Sequence, residues 1–201
     1  MIIARRSEEK IYDQLSKIAP TVIMDILPDW RAGLRELGSI LQRENEADRW
    51  LADYDKKTAK AREEIARTVK PGETFLYLRI MPKEIRVHGT QELFGATLFQ
   101  DLKLTPVTGL DKVKRIEPIS LEMLPQYDAD HIFVQVGSPV AGGDKEAEKN
   151  LAVIAETSIW KGLKAVKNNR VYTMPHWIIS DYPFIKSKSV DLVVVKLKRK
   201  P

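Results

Sequence analysis

Two short apolar runs constrain this chain more than any other feature. Thr74-Phe75-Leu76-Tyr77-Leu78-Arg79-Ile80 and His131-Ile132-Phe133-Val134-Gln135-Val136 are nearly continuous in large apolar side chains. Strands read this way when helices cover both faces of a parallel sheet. Parallel neighbours need long crossovers, and the intervening segments carry helical periodicity. Gln91 to Leu102 places Phe94, Leu98 and Leu102 on one face, Asp144 to Glu156 reads as a helix, and Trp160, Leu163 and Val166 continue helically to a turn at Asn168-Asn169. Val171 to Met174, stopped by Pro175, and Ile85 to His88, closed by Gly89, read as further strands. Ile119 to Leu124 reads as one or two helical turns, and the β-branched stretch from Val190 to Leu197 is open between strand and helix. The expectation over 70–201 is therefore α/β, a three-layer lobe with a mostly parallel sheet.

Upstream the pattern differs. From Trp30 to about Thr68 it is helical: Trp30, Leu34, Leu37 and Leu41 form one stripe, and Ala47, Leu51, Tyr54, Thr58, Ala61 and Ile65 form a second. Gly38 and the polar stretch around Asn45 are expected to separate them, and 29–69 reads as an interlobe helical segment. In front of it, Ile2-Ile3-Ala4 is a strand stub, Ser7 to Ile18 a helix with Ile11, Leu15 and Ile18 on one face, and Thr21 to Ile26 a strand. Two strands and a helix bury too little by themselves. Residues 1–28 are thus expected to need neighbours outside this sequence, or a second copy of the chain.

The 201 residues contain no cysteine, which excludes disulfides, thiolate metal sites and cysteine nucleophiles. No apolar run approaches the ~20 residues of a membrane span, and the amino terminus lacks the pattern of a signal peptide. A net charge of +5, from 33 basic and 28 acidic residues, is modest: it suits an anionic partner and equally a plain solvated surface.

Chemistry-bearing patterns are few. The glycine-rich stretch from Gly137 to Lys145 follows a strand and precedes a helix, but lacks the spacing of a nucleotide-binding loop. Asp128-Ala129-Asp130-His131 reads as a polar turn feeding a buried strand, without a second cluster to complete a metal site. There is no G-x-S-x-G or H-E-x-x-H, so no catalytic residue is expected. Arg79 stands out, inside an apolar strand near its carboxyl end. Its guanidinium must meet a carboxylate, reach solvent, or await an anionic ligand, because a buried unpaired charge is costly. Arg86 and His88 lie on the following strand, Arg5 and Arg6 just past the first stub, and Trp177, Tyr182 and Phe184 beyond the Tyr172 strand, where aromatics could floor a crevice or simply pack.

Four segments in order resemble the iron-siderophore substrate-binding proteins of ABC transporters: Ile11 to Val22 (IYDQLSKIAPTV), Trp30 through Tyr54 as the interlobe region, Ser120-Leu121-Glu122 with Leu124-Pro125 and Asp128 to Phe133 (DADHIF), and Trp160 to Tyr172 (WKGLKAVKNNRVY). The resemblance implies two α/β lobes joined by a long helix, with ligand held between them. This chain would then supply the end of the amino-terminal lobe (1–28), the spine (29–69) and the carboxy-terminal ligand-binding lobe (70–201), with about 100 further residues, a signal sequence and a lipid-attachment cysteine upstream. It implies non-enzymatic capture of a ferric siderophore outside the cytoplasm and delivery to an ABC permease, with membrane association through that absent lipid anchor. No covalently bound cofactor and no metal ligand from the protein are expected, since the siderophore itself chelates the iron. Family members often clamp anionic chelates with arginines, which marks Arg79, Arg86 and either Arg5 or Arg6, with His88, Trp177 and Tyr182 as further contacts. Haem or cobalamin on the same scaffold is the main rival, with Tyr182, His88 or His176 as axial candidates. A basic nucleic-acid-binding module is the other, and no base-stacking or groove-reading motif supports it.

Overall fold

The computed structural model describes residues 1–25, 29–138 and 144–198. The chain divides into two compact units, Met1–Asp53 and Tyr54–Pro201.

In the first unit, β1 (Ile2–Arg5) and β2 (Thr21–Met24) pair in parallel with Ile2 opposite Thr21. A 3-10 turn (Arg6–Ile11) and α1 (Tyr12–Ser16) connect them. The predicted inward face of this connection does not form. Ile11 is 43% and Ile18 77% exposed, and only Leu15 is half-buried. The first turn winds at three residues per turn, which rotates Ile11 out of line, and α1 stops before Ile18. The strand predicted to reach Ile26 is observed to Met24; Ile26 itself lies outside the described residues. α2 (Trp30–Ile40) is capped by the Asp29 carboxylate, which accepts from the Arg31 amide. The break before α3 (Glu44–Ile65) falls at Leu41–Arg43, where Gln42 has φ 56°, rather than around Asn45. Gly38 is where the two helices meet: a Cβ there would stand 2.9 Å from the Ala47 Cβ. Trp30 and Trp50 close the same contact edge to face, 5.9 Å apart. The α3 stripe is buried throughout, from Ala47 and Leu51 to Tyr54, Thr58, Ala61 and Ile65.

The second unit is built on a mixed sheet of β3 (Thr74–Ile80), β4 (Ile85–His88), β5 (Thr105–Pro106), β6 (Ile116–Ile119), β7 (His131–Val136) and β8 (Val171–Met174). Its order is β6-β4-β3-β7-β8, with β5 beside the start of β3. The centre is parallel: β3 pairs with β7, and β7 with β8. β4 and β6 add an antiparallel flank. The sequence missed β5 and β6. Pro118 makes Ile116–Ile119 a poor strand candidate, yet β6 is an edge strand, where proline is tolerated. The helical turns expected from Ile119 begin at Leu121 instead, as a 3-10 helix to Tyr127.

Among its described residues this unit also holds the end of α3, together with α4 (Leu93–Ala96), α5 (Asp144–Glu156), α6 (Ser158–Gly162), α7 (Lys164–Lys167) and α8 (Pro183–Lys198). The single helix predicted over 91–102 is α4 followed by a π-helical turn, Thr97–Asp101. Phe94 packs edge-on against Tyr77 and Phe133. The ambiguous 190–197 segment is helical. Pro183 opens α8 at the position where its missing N–H costs nothing, and Val190, Val193 and Leu197 share a buried face.

α3 and α8 are joined by charge. Lys57 Nζ lies 2.6 Å from Asp191, and Lys198 Nζ lies 2.6 Å from Glu64. Tyr54 donates to Asp101 and Arg62 to the Asp101 carbonyl.

Candidate functional site

The alternation of β3 sends Phe75, Tyr77 and Arg79 to one face of the sheet. Register then fixes their neighbours. Arg79 stands opposite Arg86 on β4 and opposite Gln135 on β7, and His88 lies two residues further along β4, its ring 4.4 Å from that of Tyr77. Two arginines are thus placed opposite each other at the sheet end made by the carboxyl ends of β3, β7 and β8.

Each arginine has protein contacts. Arg79 is 6% exposed, and its Nε donates to the Gly137 carbonyl at 2.9 Å. Arg86, half-buried, pairs with Glu84, and the nearby Arg115 pairs with Glu92. His88 is buried. Burial, reinforced by the positive charges of Arg79, Arg86 and Arg115, holds its imidazole down at about 3, so the ring is neutral. Its Nε2 and the Nε2 of Gln135 are buried polar atoms without a protein hydrogen bond. Tyr77 connects them: its ring lies against that of His88, tilted by 39°, and its hydroxyl donates to Gln135 Oε1. Burial raises the Tyr77 hydroxyl well above the ordinary tyrosine range and keeps it a donor.

The chain after β8 reaches the same end of the sheet. Trp177 sits in a 3-10 turn (His176–Ile179), half-buried, with Lys188 Nζ 4.5 Å above its ring. Tyr182 and Phe184 are 59% and 71% exposed. Register therefore puts Arg79 and Arg86 at the carboxyl end of the sheet, and Trp177 follows β8 at its carboxyl end. Arg5 and Arg6 belong to the other unit. The Arg5 amide donates to Glu8, and Arg6 makes a two-pronged contact with Asp25 while lying 3.6 Å from Glu9.

The Asp128–His131 segment is structural. Asp128 accepts from the Lys164 amide and Asp130 from the amide and hydroxyl of Thr74. His131 Nε2 donates to Glu73 at 3.0 Å, and its Nδ1 accepts from the Tyr172 hydroxyl at 3.1 Å. Arg170 reaches the other Glu73 oxygen at 2.6 Å. Burial alone would raise the Glu73 carboxyl, but His131, the Lys70 amide and Arg170 outweigh it and hold it at about 2. Among the described residues no group of three or more His, Asp or Glu could hold a metal ion. Most of the glycine-rich stretch, residues 139–143, lies outside them. A pocket of about 220 Å³ opens elsewhere, between the β3–β4 turn (Lys83, Glu84), Ser120 and the α5 residues Asn150 and Val153. Sequence reasoning passed over Gln135 and Lys186, both fully buried. Gln135 had a signal, a polar residue near the end of an apolar strand; Lys186 had none.

The periplasmic binding protein profile matches residues 1–176. The chain belongs to the periplasmic binding protein family. The iron(3+)-hydroxamate-binding protein FhuD of Bacillus subtilis is 35% identical to it over 182 residues, covering 87% of this chain and 55% of that protein. A FhuD fold-family structure, a periplasmic binding protein component of a Fep/Fec-like ferrichrome ABC transporter from Bacillus subtilis, matches with a TM-score of 0.83 at 30% identity, covering 100% of this chain and 75% of that one. SirA of Staphylococcus aureus complexed with staphyloferrin B matches with a TM-score of 0.80 at 31% identity, covering 98% of this chain and 70% of that one. The resemblance read from the four sequence segments is thereby borne out, as is the α/β class with a mostly parallel central sheet. This periplasmic binding protein spans about half the length of the curated relatives it matches. Among its described residues no helix is long and apolar enough to cross a membrane.

Proposed function

We propose that this chain is part of an extracytoplasmic solute-binding protein that captures a ferric siderophore and delivers it to an ABC-transporter permease, binding its cargo without chemical change. The observation that carries the reading is the cross-strand pair Arg79–Arg86 at the carboxyl end of the sheet, in a chain whose relatives are binding proteins for ferric chelates. Guanidinium groups suit carboxylate, catecholate and hydroxamate oxygens, being planar, multiply donating and charged at every working pH. Trp177 and Tyr182 add aromatic surface at the same end, and His88 supports it from beneath. In this reading 1–28 closes an amino-terminal lobe, 29–69 is the spine and 70–201 the carboxy-terminal ligand lobe. The iron is chelated by its siderophore, no covalent cofactor takes part, and a lipid anchor upstream holds the whole protein at the membrane.

Titrating the intrinsic tryptophan fluorescence with ferrichrome, ferric enterobactin and ferric citrate tests this. Saturable quenching by at least one of them is expected, with Arg79→Met weakening it about 10-fold or more. No quenching and no thermal shift with any of the three would overturn the ligand class. A Soret band on adding haemin would move the reading to haem.

A further inference from the structure

Lys186 is the least expected residue of the second unit. It lies on α8 and is 1% exposed. Its Nζ stands 2.6 Å from Asp181 Oδ1 and donates to the Leu93 carbonyl at 3.3 Å. Its own amide donates to the Tyr182 carbonyl. Desolvating an ammonium is expensive, and a buried ion pair is often no more stabilising than apolar side chains of similar size. What such a pair supplies is geometry. Here it ties together segments far apart in sequence. Asp181 lies in the connection between β8 and α8, which carries Trp177 and Tyr182. Leu93 is the first residue of α4, whose Phe94 covers Tyr77 and Phe133.

The receiving end is rigid. Leu93 holds a left-handed φ of 53°, which a branched residue adopts only when its surroundings impose it. Two residues on, Gly95 packs so closely on the Gly89 carbonyl that a Cβ would stand 2.0 Å from its oxygen. The exposed Tyr182 and Phe184 have no comparable packing of their own.

We infer that Lys186 is a positioning residue, a buried latch that holds the Trp177–Tyr182 segment against α4 in its binding-competent conformation. The inference rests on the proposed siderophore reading only for its functional consequence. Releasing the latch lets that segment sample other conformations, and apparent affinity falls in proportion to the competent fraction.

The test compares the full chain with Asp181→Asn, Lys186→Met and the double variant, which removes both charges at once. Three quantities are read: the melting temperature, the 19F resonance of 5-fluorotryptophan at Trp177 without ligand, and the Kd for whichever of ferrichrome, ferric enterobactin and ferric citrate the parent chain binds. The expected result is a double variant that melts close to the parent, with a broadened or split Trp177 resonance and a Kd weakened about fivefold or more. An unchanged Trp177 resonance in a folded variant overturns the latch, whether or not ligand binds. So does an unchanged Kd, or a pair whose loss lowers only the melting temperature. A parent chain that binds none of the three chelates while the variant resonance broadens leaves the latch standing and removes the siderophore reading. Should Lys186→Met fail to fold, Asp181→Asn and the double variant give the same readouts.

Discussion

His88 is held neutral by its surroundings, and that has a cost in acid. Its folded value is about 3, against about 6.5 in an unfolded chain. Below pH 6.5 the unfolded state takes up a proton that the folded state refuses, so the stability present above that pH is lost progressively as pH falls toward 3. At pH 4.5 the gap is two pH units, about 3 kcal/mol at about 1.4 kcal/mol per unit. His131 is also lowered, chiefly by burial against the opposing pull of Glu73, and acts in the same direction. Glu73 joins them below pH 4.5, since its carboxylate stays ionised down to about 2. Urea unfolding at pH 7 and pH 4.5 is expected to show a loss of at least about 3 kcal/mol. His88→Leu should flatten the dependence by about that amount; an unflattened curve would assign the acid sensitivity elsewhere. Little of this follows from the letters IRVH, because the depression comes chiefly from burial, and Arg79 and Arg115 are brought near only by folding.

The elements of the second unit are held by contacts at their ends. The amino ends of β3, β7 and β8 are clamped by Glu73, His131, Arg170 and Tyr172, with Phe75 stacked on His131 at 4.5 Å. Glu73→Gln removes the charge from hydrogen bonds with two basic partners, and a loss of about 2–3 kcal/mol in thermal unfolding is expected. The start of α4 depends on a close approach rather than a charge. Gly95→Ala places a methyl 2.0 Å from the Gly89 oxygen, a clash with backbone that cannot rotate away. It should cost at least about 2 kcal/mol or abolish folding, whereas an alanine tolerated without loss would show that the Gly89 loop can shift. Element types followed from periodicity wherever a segment was long and regular, as in α3 and α5. They were lost where local rules and context disagree: Pro118 in an edge strand, the valines of α8, and a first connection wound too tightly to align Ile11 with Leu15.

At the scale of the molecule the two units differ in how much they bury. Among the described residues, the buried apolar side chains of the first unit are Ala4, Ala47 and Leu51, while the second unit buries Phe75, Leu76, Tyr77, Leu78, Phe133 and many more. Local opening free energy follows buried apolar contact. Hydrogen exchange of the β1 and β2 amides, Ile2–Arg5 and Thr21–Met24, should therefore be at least about 100-fold faster than that of β3 and β7. Equal protection would mean that the first unit draws its stability from something other than its own packing.

Several features could be read straight from the letters: the β3 and β7 strands, the buried stripe of α3, the α/β class and the kinship with siderophore-binding proteins. Each rests on interactions that repeat along the chain, whether side-chain alternation, helical period or recurring motif. Pairing decided the rest. That Arg79 faces Arg86, that Gln135 meets Tyr77 and that Lys186 is drawn inward between Asp181 and Leu93 depend on residues 5 to 93 positions apart. Linear spacing carries no record of strand register or of which helix lies over which face, so those partners were set by the packed sheet and its covering helices.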